Sequence, residues 1–129
     1  MSGGGLETAN RALVMAAYAE VLQPFDASRV DEFFAPDYIQ HSPLAEDGAA
    51  GLKAFLNWAR ETSPNARHHI RRVFADGDFV IIHLQVVLEP GDPGLAVVDI
   101  FRVQDGRIAE HWDVMQPAPE AAPNPNGMF

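Results

Sequence analysis

Cysteine is absent from the 129 residues. That excludes disulfides, thiolate metal sites and a cysteine nucleophile. Positive charge is scarce as well: nine Lys and Arg against 18 Asp and Glu give a net charge of −9. A nucleic-acid backbone calls for a concentrated basic surface, so nucleic acid is not the expected partner. The one basic cluster, Arg67-His68-His69-Ile70-Arg71-Arg72, alternates between the two sides of a strand and reads as a solvated strand face. No run of about 18 apolar residues is present to span a membrane. A basic N-terminal segment leading into an apolar one, as in a secretory signal, is missing too. The expectation is a cytoplasmic protein with no membrane partner. There is no Gly-rich phosphate loop, nucleophile elbow or dinucleotide fingerprint, and no cofactor is expected. No His-x-His or His-x-x-x-His pair occurs, and His68 and His69 diverge on a strand, so no metal is expected either.

What is present is ordinary for a globular protein: 47% hydrophobic and 21% charged residues. The length fits one domain over 1–129. Met1–Gly5 reads as a disordered start. Apolar residues at helical spacing from Leu6 to Leu22, closed by Pro24, predict a first helix. Ser28 reads as the N-cap of a short second helix through Phe34, ended by Pro36. Tyr38-Ile39-Gln40-His41-Ser42-Pro43 is a short extended piece entering a loop. Leu52, Phe55, Leu56 and Ala59 share one side of a third helix over Ala49–Glu61.

Strands follow. His69–Ala75 is one, Asp76-Gly77-Asp78 a turn, and Phe79–Glu89 the next. In that long strand Phe79, Ile81, His83, Gln85 and Val87 share one face, and Val80, Ile82, Leu84 and Val86 the other. Both faces are apolar enough to predict a central strand covered on both sides. Pro117–Phe129 is an irregular tail. Its last two residues, Met128 and Phe129, are either frayed or packed on a groove or a partner.

The stretch 94–116 organises the rest. Two runs rich in Val, Ile, Phe and Trp flank Asp105-Gly106, a strong hairpin signal. A two-residue turn would set Gln104 opposite Arg107. A type I turn with Gly106 as a bulge would set Val103 opposite Arg107, and this form is preferred because Gly106 then takes the left-handed conformation. That register predicts Asp99 opposite His111 and Val97 opposite Asp113. Alternation gives one face to Val97, Asp99, Phe101, Ala109, His111, Asp113 and Met115. Two carboxylates and an imidazole among apolar neighbours describe a buried polar pocket, because unpaired charge in a plain core is costly. The other face carries Val98, Ile100, Arg102, Ile108, Glu110, Trp112 and Val114. It is too apolar to leave in water and predicts a homodimer through this convex side, with Arg102 and Glu110 at the rim. A terminal segment of the same chain could cover it instead.

Helices followed by an antiparallel sheet make an α+β layout. With Tyr38-Ile39-Gln40-His41, the Asp-Gly turns and the ending Val98-Asp99-Ile100-Phe101-Arg102…Asp105-Gly106-Arg107-Ile108…Glu110-His111-Trp112-Asp113-Val114, the chain resembles the SnoaL-like group of the nuclear-transport-factor-2-like superfamily. The resemblance implies a cone: a curved antiparallel sheet wrapped around N-terminal helices, with a pocket inside. It also implies that Asp113, the position matching the acidic residue of the polyketide cyclases, is an acid/base, with Asp99 as its polar partner on the preceding strand. The epoxide hydrolases of the superfamily set an Arg between two Asp; here Arg102 falls on the wrong face. The phenol-plus-acid pattern of ketosteroid isomerase is half met, with Tyr18 or Tyr38 as the phenol.

Deprotonation beside a carbonyl needs a base near the C–H and a donor for the enolate oxygen. Asp113 is the candidate base, and Asp99 and His111 are its partners. His41 and His83 are candidate oxyanion donors or orienting groups, Gln85 a carbonyl binder, and Tyr38, Phe101 and Met115 pocket lining. The expectation is a cofactor-independent enzyme of acid/base type acting on a small, mostly apolar carbonyl compound by cyclisation, isomerisation or dehydration. The alternatives are a non-catalytic ligand-binding domain with the same pocket, and a hydrolase activating water with the Asp pair.

Overall fold

The computed structural model describes residues 3–129. Its sheet has five strands: β1 (Phe34–Gln40), β2 (Arg67–Asp76), β3 (Phe79–Val87), β4 (Leu95–Gln104) and β5 (Arg107–Pro117). They lie in the order β1-β5-β4-β3-β2. The contacts β2–β3, β3–β4 and β4–β5 are antiparallel, whereas β1 adds to β5 in parallel. The sheet is antiparallel as expected, with a parallel pairing at that one edge. The helices are α1 (Gly3–Ala17), a short α2 (Val30–Phe33) and α3 (Gly48–Thr62). The result is α+β: three helices and a mostly antiparallel sheet.

Helix α1 starts at Gly3, so the disorder expected over Met1–Gly5 does not hold for Gly3–Gly5; Met1 and Ser2 lie outside the described residues. Val14, Ala17, Tyr18 and Val21 are buried at the spacing of one helical face. The helix runs on into a single π turn over Tyr18–Leu22, where the Gln23 N–H reaches the Tyr18 carbonyl at 2.8 Å. Near its start, Asn10 donates to the Gly77 carbonyl at 3.3 Å and Glu7 accepts from the Gly77 N–H at 2.9 Å. These two bonds tie α1 to the β2–β3 turn. The cap of the second helical piece is Asp26, not Ser28: its carboxylate accepts from the Ser28 N–H at 3.0 Å and opens a 3₁₀ turn, Ala27–Arg29, that leads into α2. Phe34 already has extended backbone, so the chain leaves the helix two residues before Pro36, which lies within β1. Asp47 caps α3 and also accepts from the Gln40 N–H, both at 2.9 Å, joining α3 to the end of β1. Gly51 is required there, since a Cβ would stand 2.0 Å from the Glu46 carbonyl oxygen.

The central hairpin departs from the expected register in an instructive way. Asp105 and Gly106 both have positive φ, +52° and +74°, a two-residue turn that pairs Gln104 with Arg107 and Val103 with Ile108. The bulge lies further on, at Ala109, after which Arg102 pairs with Glu110, Phe101 with His111, Asp99 with Asp113 and Val97 with Met115. Asp99 therefore faces Asp113, not His111, and Val97 faces Met115. Ile108 moves to the inner side and is fully buried. Ala109 of the predicted inward set becomes the bulge residue, and the rest, Val97, Asp99, Phe101, His111, Asp113 and Met115, keep their side. Turn and bulge together displace the register by two residues, an even number that keeps every side chain beyond them on its face.

Strand β3 is interior, with the helices against one side and part of the C-terminal tail against the other. Val80, Ile82 and Leu84 are buried against the helices, while Phe79, Ile81, His83 and Gln85 face outward and are exposed or half-buried. On that outer side Arg102 binds Glu110 at 2.9 Å within the chain. The tail returns to the same side: the Phe129 ring stacks on His83 with centroids 6.0 Å apart and meets the Arg71 guanidinium at 5.5 Å. Phe129 is therefore packed on its own sheet over β2 and β3, and is not frayed. Among the described residues, no helix is long and apolar enough to cross a membrane.

Ile82 anchors the inner face of β3 with no exposed surface. Ile82→Ala is expected to lower unfolding stability by about 2–5 kcal/mol. Urea unfolding of the two proteins measures it, and a loss within experimental error would mean that this face is not the core.

Candidate active site

The concave side of the sheet, the π turn and α3 enclose a cavity of about 350 Å³. Its walls are mainly apolar and aromatic: Phe34, Leu52, Leu56, Val97 and Phe101 inside, with Leu44, Trp58, Leu88 and Met115 toward the mouth. Asp99, His111 and Asp113 enter it from adjacent positions on β4 and β5, and Tyr18, Tyr38, Gln40, Ser42, Ser63 and His68 complete the polar lining. Of the expected site residues, the fold brings together Asp113, Asp99, His111, Tyr38, Phe101 and Met115.

It does not bring in His41, His83 or Gln85. In β3 the residues of even number turn to the helices, which sends His83 and Gln85 to the convex side. There His83 meets Arg72 and the Phe129 ring. Gln85 accepts from Arg71 at 2.5 Å and donates to the Pro93 carbonyl at 3.0 Å. His41 stacks on Trp112 with ring centroids 4.9 Å apart and binds Glu110 at 2.6 Å, again on the outer side. Alternation through Tyr38-Ile39-Gln40-His41 would have selected Tyr38 with Gln40 and set His41 apart. Tyr18 was weighed as a phenol but not placed in the pocket, because at helical spacing it reads as core. His68 was hidden in a basic cluster, and Ser42 carried no signal.

The polar groups form one chain of hydrogen bonds. The Tyr18 hydroxyl donates to one Asp99 oxygen, and His111 Nε2 lies 2.8 Å from the other. His111 Nδ1 lies 2.7 Å from Gln40 Oε1. Gln40 Oε1 also accepts from the Ser42 backbone N–H at 3.1 Å, and Gln40 Nε2 donates to the Tyr38 hydroxyl at 2.8 Å. The Ser42 N–H can only donate, so it fixes which end of the Gln40 amide is oxygen. His111 Nδ1 must then carry a proton. With Nε2 facing a carboxylate, the His111–Asp99 pair holds one proton between Nε2 and Oδ1, whichever atom carries it. Tyr38 accepts from Gln40, so its own O–H is left to point elsewhere. The Phe101 ring stacks on His111 at 4.7 Å and closes one flank of the pair.

Electrostatics separates the two carboxylates. Asp99 is buried and takes bonds on both oxygens. Asp113 is half-buried; burial pushes its carboxyl above the usual carboxylate range, Asp99 adds to the shift, and His111 and Ser42 offset part of it. Burial, reinforced by the carboxylates, also raises the phenols of Tyr18 and Tyr38, which keeps both protonated as donors. Asp99, His111 and Asp113 bring three possible ligand atoms within 4.8 Å of one another, a cluster that sequence spacing did not reveal. Both Asp99 oxygens and both His111 nitrogens are already engaged, however, so a cation would have to break the network.

A curved sheet around helices, with a polar chain at the bottom of an apolar cavity, defines the nuclear-transport-factor-2-like class of cone folds. Within that class the chain belongs to the SnoaL-like domain family, whose model matches residues 15–111. Solved structures agree on the fold. A candidate polyketide cyclase from Acidithiobacillus ferrooxidans superposes with a TM-score of 0.69 at 22% identity, covering 83% of this chain and 87% of that one. One from Bacillus cereus gives 0.72 at 22% identity, covering 84% and 74%. A candidate isomerase of the SnoaL-like family from Agrobacterium tumefaciens gives 0.68 at 19% identity, covering 87% and 98%. No curated protein sequence matches this chain significantly.

The raised carboxyl of Asp113 makes a signed prediction. A carboxyl with a higher pKa folded than unfolded binds more protons in the native state, so its contribution is full below pH 3.8 and is lost as pH rises through the folded value. Asp113→Asn removes that loss. Its melting temperature relative to the parent should therefore be higher at pH 7 than at pH 3.5. Thermal unfolding at both pH values decides it, and an equal difference at the two would mean that Asp113 is solvated.

Proposed function

We propose that this protein transfers protons on a small, mostly apolar carbonyl compound, as a cyclase, isomerase or dehydratase of SnoaL-like type. Asp113 is the base. It takes a proton from the carbon beside the carbonyl, and the C–H electron pair moves into the enolate with its charge on oxygen. The Tyr38 hydroxyl, with its own hydrogen free, is the donor for that oxygen. The proton taken by Asp113 is then given back to the product, which restores the carboxylate base. The observation that supports this reading is the pairing of Asp113 with Asp99 across β4 and β5 in an apolar cavity, where only one of the two has its oxygens fully engaged. The structural neighbours include candidate polyketide cyclases and a candidate isomerase. Incubating the protein with a panel of apolar ketones in deuterium oxide and following α-deuteration by NMR tests it. Asp113→Asn is expected to reduce exchange by about two orders of magnitude. Ketones that bind without exchanging would favour the non-catalytic binding reading.

The partner proposed for the outer face is a second copy of the chain. The tail covers the β2–β3 part of this face, yet Val114 stays 67% exposed and Phe74 55%. Arg102 and Glu110 on the same face are already paired with each other, so neither is left as a lone charge when the face closes. Sedimentation should give a dimer, and Val114→Glu should shift it to monomer. A monomeric parent at the highest concentration reached would sink the proposal.

A further inference from the structure

His68 is a polar residue in the cavity that the proton-transfer scheme does not use. It lies on the inner side of β2, and its ring lines the cavity. The ring meets Tyr18 edge-on at 6.1 Å and Phe25 edge-on at 5.7 Å. Its Nδ1 is buried and has no hydrogen-bond partner among the described residues. Of the two ring nitrogens, Nε2 is the one left to the cavity.

The proton on this ring can be placed by elimination. Burial depresses basicity here, so the ring is a neutral imidazole with one N–H. An N–H enclosed without an acceptor is rarer and costlier than an enclosed lone pair. The proton therefore belongs on Nε2, and a donor faces one part of the cavity. A donor in that position costs free energy until something accepts from it.

Strand register shows which part. Asp99 and Asp113 share a row with Ile82, whereas His68 pairs with Val86, four residues further along β3. That is about 13 Å along the strand direction. Tyr18 spans the interval, with its hydroxyl on Asp99 and its ring against His68. The cavity thus has a polar group at each end and aromatic walls between. No Lys or Arg is among its lining residues.

We propose that His68 is a ligand-binding residue whose Nε2–H donates to an acceptor oxygen at the end of the ligand remote from Asp113, so that the ligand is an uncharged, flat, apolar molecule with an oxygen function at each end. The assignment of the near end rests on the proton-transfer reading above; the His68 end does not. Two probes separate the ends. In 2,6-diacetylnaphthalene both ends carry a carbonyl; in 2-acetyl-6-isopropylnaphthalene one carbonyl is replaced by an apolar group of similar shape.

Isothermal titration of the full chain with each probe makes the test. The parent protein is expected to bind the diketone about tenfold more tightly than the monoketone, the contribution of one hydrogen bond to a buried donor. His68→Phe keeps the ring packing against Tyr18 and Phe25 and should erase that preference. His68→Gln keeps a donor and should retain most of it, which guards against a folding artefact. Asp113→Asn should leave the preference in place. No preference in the parent, a preference that survives His68→Phe, or binding of neither probe would each overturn the proposal. Binding is read here and not turnover, so a failure of Asp113 to exchange protons leaves this result independent.

Discussion

The burial of Asp99 is the constraint on which the rest of this structure depends. A carboxylate removed from water is costly unless both oxygens are bonded, and here each partner comes from a different element. Tyr18 is supplied by the π turn that ends α1, and His111 by the neighbouring strand. His111 is in turn held by Gln40 from β1, whose amide is oriented by the Ser42 backbone just beyond. Helix, sheet and edge strand thus have to be in place together before the carboxylate is satisfied. The same chain of bonds leaves Asp113, its cross-strand neighbour, with free capacity. Bonding that holds the fold and capacity left free are thus divided between two residues of the same kind by what surrounds them.

Two bulges in the antiparallel part of the sheet let it curve without losing its sidedness. One is at Ala109 in β5, and the other lies between Ile70 and Arg72 in β2. An extra residue in a strand bends it and increases its twist. It also reverses the sense of alternation, so each bulge has a consequence for which side chains enter the cavity. In β2 the inward residues are His68 and Ile70 before the bulge and Val73 and Ala75 after it. In β5, Ile108 is inward before the bulge and His111 and Asp113 after it. Without the extra residue at Ala109, Ile108 would point outward or the acid pair would be split across the two faces.

Much of this was legible because period-two alternation is a local property. Alternation sorts each strand by itself. Grouping Asp99 and Phe101 of β4 with His111, Asp113 and Met115 of β5 needs the register to within an even number of residues, which a bulge at Gly106 and one at Ala109 supply equally. The prediction that Asp99 faces His111 failed because two residues with positive φ form the turn while the bulge sits elsewhere. Helices α1 and α3 were readable from spacing, whereas the cap at Asp26 was missed because Ser28, two residues on, has the same chemical credentials. His83 and Gln85 were misplaced for a different reason. Both faces of β3 are rich in apolar residues, and nothing local says which one meets the helices. Tyr18 and His68 could not be assigned from their own segments at all, since each acquires its role only by meeting the other's element inside the cone.

The cavity's charge also limits what it can hold. Two carboxyls and no guanidinium or ammonium line it, in a chain that is already strongly acidic. An anionic ligand would meet repulsion at the bottom and find no counter-charge on the walls, and in a low-dielectric space that repulsion is little screened. Neutral molecules pay no such penalty and gain from burial against Phe34, Phe101, Leu52 and Leu56. Of the hydroxyls at the bottom, Tyr18 is committed to Asp99, and the Tyr38 O–H is the one left to donate to an oxygen of a neutral compound.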